Sequence, residues 1–279
     1  MKLERRVYQK ENNLSPGKML KESLGDIYRS RFLARQLAER DIKAQYRQSY
    51  LGIIWAFITP LATAAVWVFL NLSGTIQVTD TGVAYPVYAF SGTLLWSIIT
   101  EAVNSPAQST NAARGLLSKI NFPKEALVIS GIYKLLFNSS VKIILLLAFV
   151  FFFGIGFHWS LLLLPFVVLG ALLFGTTIGL LLTPIGMLYK DVAKFTAMGF
   201  SFLMYITPVV YAVPDEGLMR TVMEINPFTP IILTSRDLIT GASPEYLTYY
   251  FMVLGITIPL FFLALLAYRI SIPIIVERT

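Results

Sequence analysis

Apolar and polar positions are segregated into long blocks along this chain. Residues 51–72 carry no charged side chain, and further uncharged runs lie at 81–100, 195–213 and 246–268. A bilayer core about 30 Å thick needs roughly 20 apolar residues of helix, so each run can cross once. Between Ile143 and Tyr189 no Asp, Glu, Lys or Arg occurs over 47 residues. As one helix that run would be roughly 70 Å long, more than twice the core, so it must fold back. Gly154, Gly156, His158, Trp159 and Ser160 supply the turn, which divides it into spans of about 126–153 and 161–188. The pattern predicts an all-α integral membrane protein with six transmembrane helices.

Ahead of the first span, Glu11 to Lys18 is rich in Asn, Ser, Pro and Gly and reads as a linker. From Met19 onward Leu20, Leu24, Ile27 and Tyr28 share a helical face, which Leu33 and Leu37 continue in a shifted register. Arg29, Arg31, Arg35, Arg40, Lys43 and Arg47 accompany this stripe. That suits an amphipathic helix in the headgroup plane, or a basic flank that only sets topology. After span two, Ser105-Pro106 is a good helix start and Asn121-Phe122-Pro123 a good stop, predicting a short helix in a loop with Arg114, Leu117, Lys119 and Phe122. Between Pro214 and Tyr246 the apolar clusters are too short to span, which fits a re-entrant helical pair between spans five and six. The expected organisation is a basic N-terminal region over 1–50, a six-span domain over 51–270 and a tail over 271–279.

Hydrophobic residues make up 56% of the chain and charged ones only 14%, and the mean hydropathy of +0.66 exceeds that of a soluble core of this size. Of the 23 Lys and Arg residues, 19 fall in 1–50, in the loops after spans two and four, or near the end of the chain. Positively charged short loops stay in the cytoplasm, so both termini are expected there. The net charge of +7 is accounted for by this sorting and by anionic lipid headgroups, without a nucleic-acid partner. The first long apolar run begins near residue 51 without a cleavage site at the right distance, so no secretory signal is expected. With no Cys, thiol catalysis, disulfides and thiolate metal sites are excluded. No G-x-x-x-x-G-K-[ST] phosphate loop occurs, so any ATP chemistry must come from another chain. The single His158 has no second His or H-E-x-x-H helix to join it and reads as a turn residue.

Inside span three Lys134, Asn138 and Lys142 recur every four residues and align on one helical face. A Lys near a bilayer centre costs on the order of 2.5 to 3.5 kcal/mol, so the pair does not face lipid. Either the three line a polar path, or Lys134 snorkels to the headgroups while Lys142 pairs with a neighbour such as Glu101. Trp55, Trp67, Tyr85, Tyr88, Phe90, Trp96, Phe202, Tyr205 and Tyr211 lie within or at the ends of spans one, two and five. They suit an interfacial aromatic belt, or a channel whose rings stack on the C–H faces of sugars.

The run Arg40-Asp41-Ile42-Lys43, Tyr46-Arg47-Gln48-Ser49, Leu51-Gly52, Trp55 and Pro60 resembles the segment leading into span one of the membrane subunits of polysaccharide-exporting ABC transporters, those for O-antigen, capsule and teichoic acid. Phe122-Pro123-Lys124-Glu125, Tyr189-Lys190-Asp191-Val192, Thr207-Pro208-Val209, Asn226-Pro227 and Arg236-Asp237 resemble further stations of that family in the same order, over about residues 28 to 270. The resemblance implies a homodimer enclosing a channel, with two cytoplasmic ATPase subunits that bind ATP and Mg. No cofactor is then expected in this chain, which would itself break no covalent bond. It further implies coupling to the ATPase through Arg114, Leu117, Lys119, Phe122, Pro123, Glu125, Tyr189, Lys190 and Asp191. Arg40, Lys43, Tyr46 and Arg47 would meet the head of a polyprenyl-diphosphate-linked polysaccharide. Trp96, Phe202 and Tyr205 would join Lys134, Asn138 and Lys142 along the channel. The expected site is the cytoplasmic (inner) membrane of a prokaryote. Two alternatives stand beside this: an ABC exporter of a drug or small lipid, and a secondary transporter or channel working without an ATPase.

Overall fold

The computed structural model describes residues 15–47, 50–75, 83–117, 119–120, 122–189 and 191–278. Gln48, Ser49, Asn121, Lys190, the start of the expected second span and the first half of the expected N-terminal linker lie outside the described residues. Within them the chain is all-helical, with no strand. Four stretches are long and apolar enough to cross a membrane: Gly52–Leu72, Glu125–Phe152, Trp159–Leu188 and Leu247–Ile275. They match expected spans one, three, four and six.

The N-terminal stripe folds as two helices, α1 (Pro16–Arg29) and α2 (Arg31–Arg47). Pro16 occupies the first turn of α1, where its missing N–H costs nothing, so the end of the expected linker is already helical. The two helices meet at Ser30, whose hydroxyl donates to the Asp26 carbonyl at 2.6 Å. This break accounts for the shifted register in the sequence. A short 3-10 turn, Gly52–Ile54, leads into α3 (Trp55–Leu72).

Helix α4 (Tyr85–Ala112) is the centre of the bundle and packs on α3, α6 (Glu125–Phe152) and α7 (Leu164–Leu188). It carries many polar residues yet is largely buried, because those residues satisfy themselves on its own backbone. Thr93 donates to the Ala89 carbonyl at 2.8 Å, Ser97 to that of Leu94 at 2.7 Å, and Asn104 to that of Thr100 at 2.8 Å. The expected helix start at Ser105-Pro106 is overruled: α4 runs through both residues, and only the four-residue α5 (Arg114–Leu117) remains of the loop helix. The reason is packing. At Gly179 of α7 a methyl group would overlap the Val103 carbonyl and lie 2.9 Å from the Pro106 ring, and at Gly131 of α6 it would lie 2.8 Å from the Ser105 hydroxyl. Small residues thus let three backbones approach at the Pro106 turn and hold it helical.

The turn between α6 and α7 falls where expected: Gly154 and Gly156 have φ of 75° and 81°, which only glycine adopts readily. His158 is bonded through its Nε2 to the Ile155 carbonyl oxygen at 2.9 Å, as a turn residue. The expected continuous fifth span over 195–213 is instead α8 (Asp191–Tyr205), which ends three residues before Pro208, whose missing N–H leaves the Met204 carbonyl without a helical donor. Two short helices, α9 (Leu218–Ile225) and α10 (Thr229–Thr240), follow. The last helix, α11 (Leu247–Arg278), runs 32 residues, about 48 Å, through Pro259 and Pro273, so the expected tail continues the span. Pro86 and Pro165 open helices and do not kink them.

Two apolar clusters hold the bundle. The larger joins α4, α6, α7, α10 and α11 around Phe90, Leu94, Leu146, Val168, Ile231 and Val253. The smaller, around Leu117, Leu127, Leu180, Met187 and Ile272, joins α5 to the ends of α6, α7 and α11. Tyr268, fully buried there, shares a hydrogen bond of 2.7 Å with Thr110 of α4.

Candidate functional site

A groove of about 890 Å³ opens between α2, α3, α4, α6 and α8. Each wall presents residues about four apart: Trp55, Thr59 and Thr63 from α3; Thr93, Ser97, Glu101, Asn104 and Gln108 from α4; Lys134, Asn138 and Lys142 from α6; Ala197, Ser201 and Tyr205 from α8. Helical periodicity therefore builds a surface of hydroxyls, amides and rings inside an apolar bundle. Trp96 lines it as well, with its ring 5.4 Å edge-on from Phe228 and 6.0 Å from Phe200.

Glu101 organises the charges. Its Oε2 accepts from Lys142 Nζ at 2.7 Å, and its Oε1 accepts a short hydrogen bond from the Asn138 amide. The Tyr46 hydroxyl donates to Asn138 Oδ1 at 3.5 Å, which brings the end of α2 into the groove. Burial first, and then the Glu101 carboxylate, hold the Tyr46 phenol above its ordinary pKa. Both sequence readings of span three thus apply at once: Lys142 pairs with Glu101, and Lys134, Asn138 and Lys142 face a polar space. Of the other expected channel residues Trp96 and Tyr205 line the groove, whereas Phe202 sits exposed on the outer side of α8 and Phe200 takes the position facing inward. Arg40, Lys43 and Arg47 form an exposed stripe on α2, with Arg40 paired to Asp41 at 2.8 Å.

The residues expected to couple divide between surface and interior. Arg114, Lys119, Pro123, Tyr189 and Asp191 are exposed, and Phe122 is half-buried with the Lys124 ammonium 5.0 Å above its ring. Burial lowers the Lys124 pKa, with Glu125 acting in the opposite sense. Leu117 and Glu125 are buried, so neither can touch a partner directly. Leu117 shares its apolar cluster with Met187, two residues before Tyr189, which sets the two loops at the same end of the bundle. Glu125 accepts from the Ser23 hydroxyl at 2.9 Å and from Arg269, which also reaches Asp26 at 2.7 Å and Glu22 at 3.7 Å. This knot ties α1, the start of α6 and α11 together.

The sequence reading named Glu101 only as a neighbour of Lys142, and it missed the polar face of α4 and the Arg269 knot. The four-residue spacing of Ser97, Glu101 and Ser105 was an available signal for the first; the knot joins residues far apart in sequence and left none.

Membrane-length helices around a polar groove fit the membrane-embedded part of a transporter. The chain belongs to the ABC-2 type transporter family, whose sequence model matches residues 33–240. It is 28% identical over 210 residues to the O-antigen export system permease protein RfbA of Myxococcus xanthus, covering 74% of this chain and 80% of that protein. Two proteins of the same name from Klebsiella pneumoniae are each 22% identical, over 218 and 229 residues, covering 75% and 79% of this chain and 81% and 84% of theirs.

Proposed function

We propose that this chain is the channel-forming membrane subunit of an ABC transporter that exports a lipid-linked, O-antigen-like polysaccharide across the cytoplasmic membrane of a prokaryote. The observation that supports the reading is the groove, where hydroxyls and amides from five helices stand beside the rings of Trp55, Trp96 and Tyr205; the first can pair with sugar hydroxyls and the rings can stack on sugar C–H faces. The names of the three relatives support the cargo.

In this reading α4 and α8, with the residues that follow α8, complete six spans. α9 and α10 form the re-entrant pair, both termini are cytoplasmic, and two copies of the chain close the groove into a channel. The basic stripe Arg40, Lys43 and Arg47 lies at the headgroups and meets the diphosphate of the carrier lipid, with Tyr46 at the mouth of the groove. Two ATPase subunits, which bind ATP and Mg, dock on Arg114, Lys119, Phe122, Pro123, Tyr189, Lys190 and Asp191. Leu117 and Glu125 hold that face in place from inside. ATP-driven closure of the partners moves the loop after α4 and opens the path; membrane lipid, and no nucleic acid, is the remaining partner.

Deleting the gene in its host and following long-chain glycan, with a complemented strain as control, tests the reading. Lipid-linked polymer trapped in the cytoplasm is the expected result. Normal surface glycan with altered drug or ion sensitivity would overturn it in favour of a smaller cargo.

A further inference from the structure

Beyond Tyr205 the chain leaves the helix, and residues 206–211 run as turns whose carbonyls have no helical partners. Side chains from elsewhere take them up almost one by one. Asn226 donates to the Ile206 carbonyl at 3.0 Å and to the Thr207 hydroxyl at 2.8 Å. Arg236 spans the next two, donating from Nη1 to the Pro208 carbonyl at 3.0 Å and from Nη2 to the Val209 carbonyl at 2.7 Å. The Tyr85 and Tyr88 hydroxyls of α4 donate to the carbonyls of Val210 and Tyr211, each at 3.1 Å. Gly92 completes the seat: a methyl group there would overlap the Val209 carbonyl and lie 2.5 Å from the Arg236 guanidinium.

Arg236 is an expensive way to make these bonds. It is 4% exposed, forms no ion pair among the described residues, and leaves its Nε without a partner. Carbonyl dipoles, the Tyr88 ring 3.5 Å below the guanidinium and, without an ion pair, the neighbouring Asp237 carboxylate balance its charge. A packed apolar residue would hold a permanently fixed loop at lower cost. The bonds reach main-chain carbonyls, and these have a second way to be satisfied. The carbonyls of Ile206, Pro208 and Val209 have N–H groups four residues on, at Val210, Ala212 and Val213, none of which is proline. The segment therefore has two arrangements that satisfy these carbonyls, as a switching element requires. The residues just before it, Met204 and Tyr205, are part of the groove wall.

We propose that Arg236 and Asn226 form a releasable clasp on residues 206–211, positioning residues that close the groove at the end of α8 and let go when the path opens to the extracytoplasmic side. The orientation, though not the clasp, rests on the function proposed above. With the clasp shut, the segment lies on Gly92 and holds Met204 and Tyr205 in the wall; with it open, α8 is free to swing or lengthen.

Because the chain has no Cys, Val209→Cys introduces one thiol, at a position 0% exposed. The test uses the complex with its ATPase in right-side-out and inside-out vesicles, with a membrane-impermeant maleimide. Labelling is expected to be slow at rest and to rise tenfold or more during ATP turnover, from the extracytoplasmic face. Arg236→Gln should bring the resting rate up to the turnover rate. Arg236→Lys, which lacks the fork that bridges two carbonyls, should fall between. Should Arg236→Gln fail to fold, Tyr88→Phe keeps the ring under the guanidinium and drops one further bond to the clasped segment, that to the Tyr211 carbonyl, with a rise of about twofold to fivefold expected. A resting rate unmoved in the folded variants, or equal rates with and without ATP, would overturn the clasp. Turnover-dependent labelling from the cytoplasmic face would instead keep the clasp and overturn the orientation, and opening with a small-molecule cargo but no glycan would overturn the polysaccharide reading.

Discussion

Replacing Lys142 by Met strands Glu101 in the groove. The two side chains are 13% and 23% exposed and 2.7 Å apart, and breaking such a pair from one side costs about 3 to 5 kcal/mol because the remaining charge stays buried. Asn138 still donates to Glu101, which places the loss at the lower end. About 3 kcal/mol corresponds to roughly a hundredfold fall in the folded-to-unfolded ratio. Adding Glu101→Gln removes the stranded charge and keeps an acceptor for Asn138, so the double variant should return to within about 1 kcal/mol of the parent, with a coupling of at least about 2 kcal/mol because Glu101→Gln alone strands Lys142 in its turn. Reversible unfolding in mixed micelles, followed by tryptophan fluorescence across all four members of the cycle, measures this. Additive single effects, with coupling under about 0.5 kcal/mol, would refute the pair as a unit. Export by the stable double variant then isolates what the charges do for the cargo, and the groove reading expects it to fall.

Gly179→Val should lower the yield of folded protein sharply, because its side chain overlaps the Val103 carbonyl and forces α4 from α7; the loss should exceed about 2 kcal/mol in the same unfolding assay. Arg269→Leu leaves Glu125 buried without its cation, so α1 should detach before the bundle melts, seen as faster amide exchange over residues 16–29 with little change in α4. Phe122→Ala and Arg114→Glu should uncouple ATP hydrolysis from export while the chain still assembles in the membrane; coupling retained in both would remove the proposed docking face.

Four of the six expected spans were legible in the sequence because charge is nearly absent from them, and length required a fold back that Gly154 and Gly156 placed. The alignment of Lys134, Asn138 and Lys142 was legible for a local reason, the four-residue repeat of a helix. What escaped depends on distant partners. Ser105-Pro106 is a sound helix start taken locally, and only Gly131 and Gly179 packed against it show why α4 continues. Pro208 signalled a break, but the groups that hold the broken end come from Arg236, 28 residues on, and from tyrosines more than 120 residues before. Glu125 carries the charge expected of a surface contact, yet Arg269, 144 residues away, draws it inside.

The most direct test is transport in a purified system: the chain and its ATPase in proteoliposomes, with lipid-linked glycan in the outer leaflet and the nucleotide-binding side facing out. ATP-dependent protection of the glycan from an added glycosidase is the predicted result, lost when Trp55 and Trp96 are both replaced by alanine. Glycan left fully accessible while ATP is hydrolysed and a small amphiphile is moved instead would contradict the account.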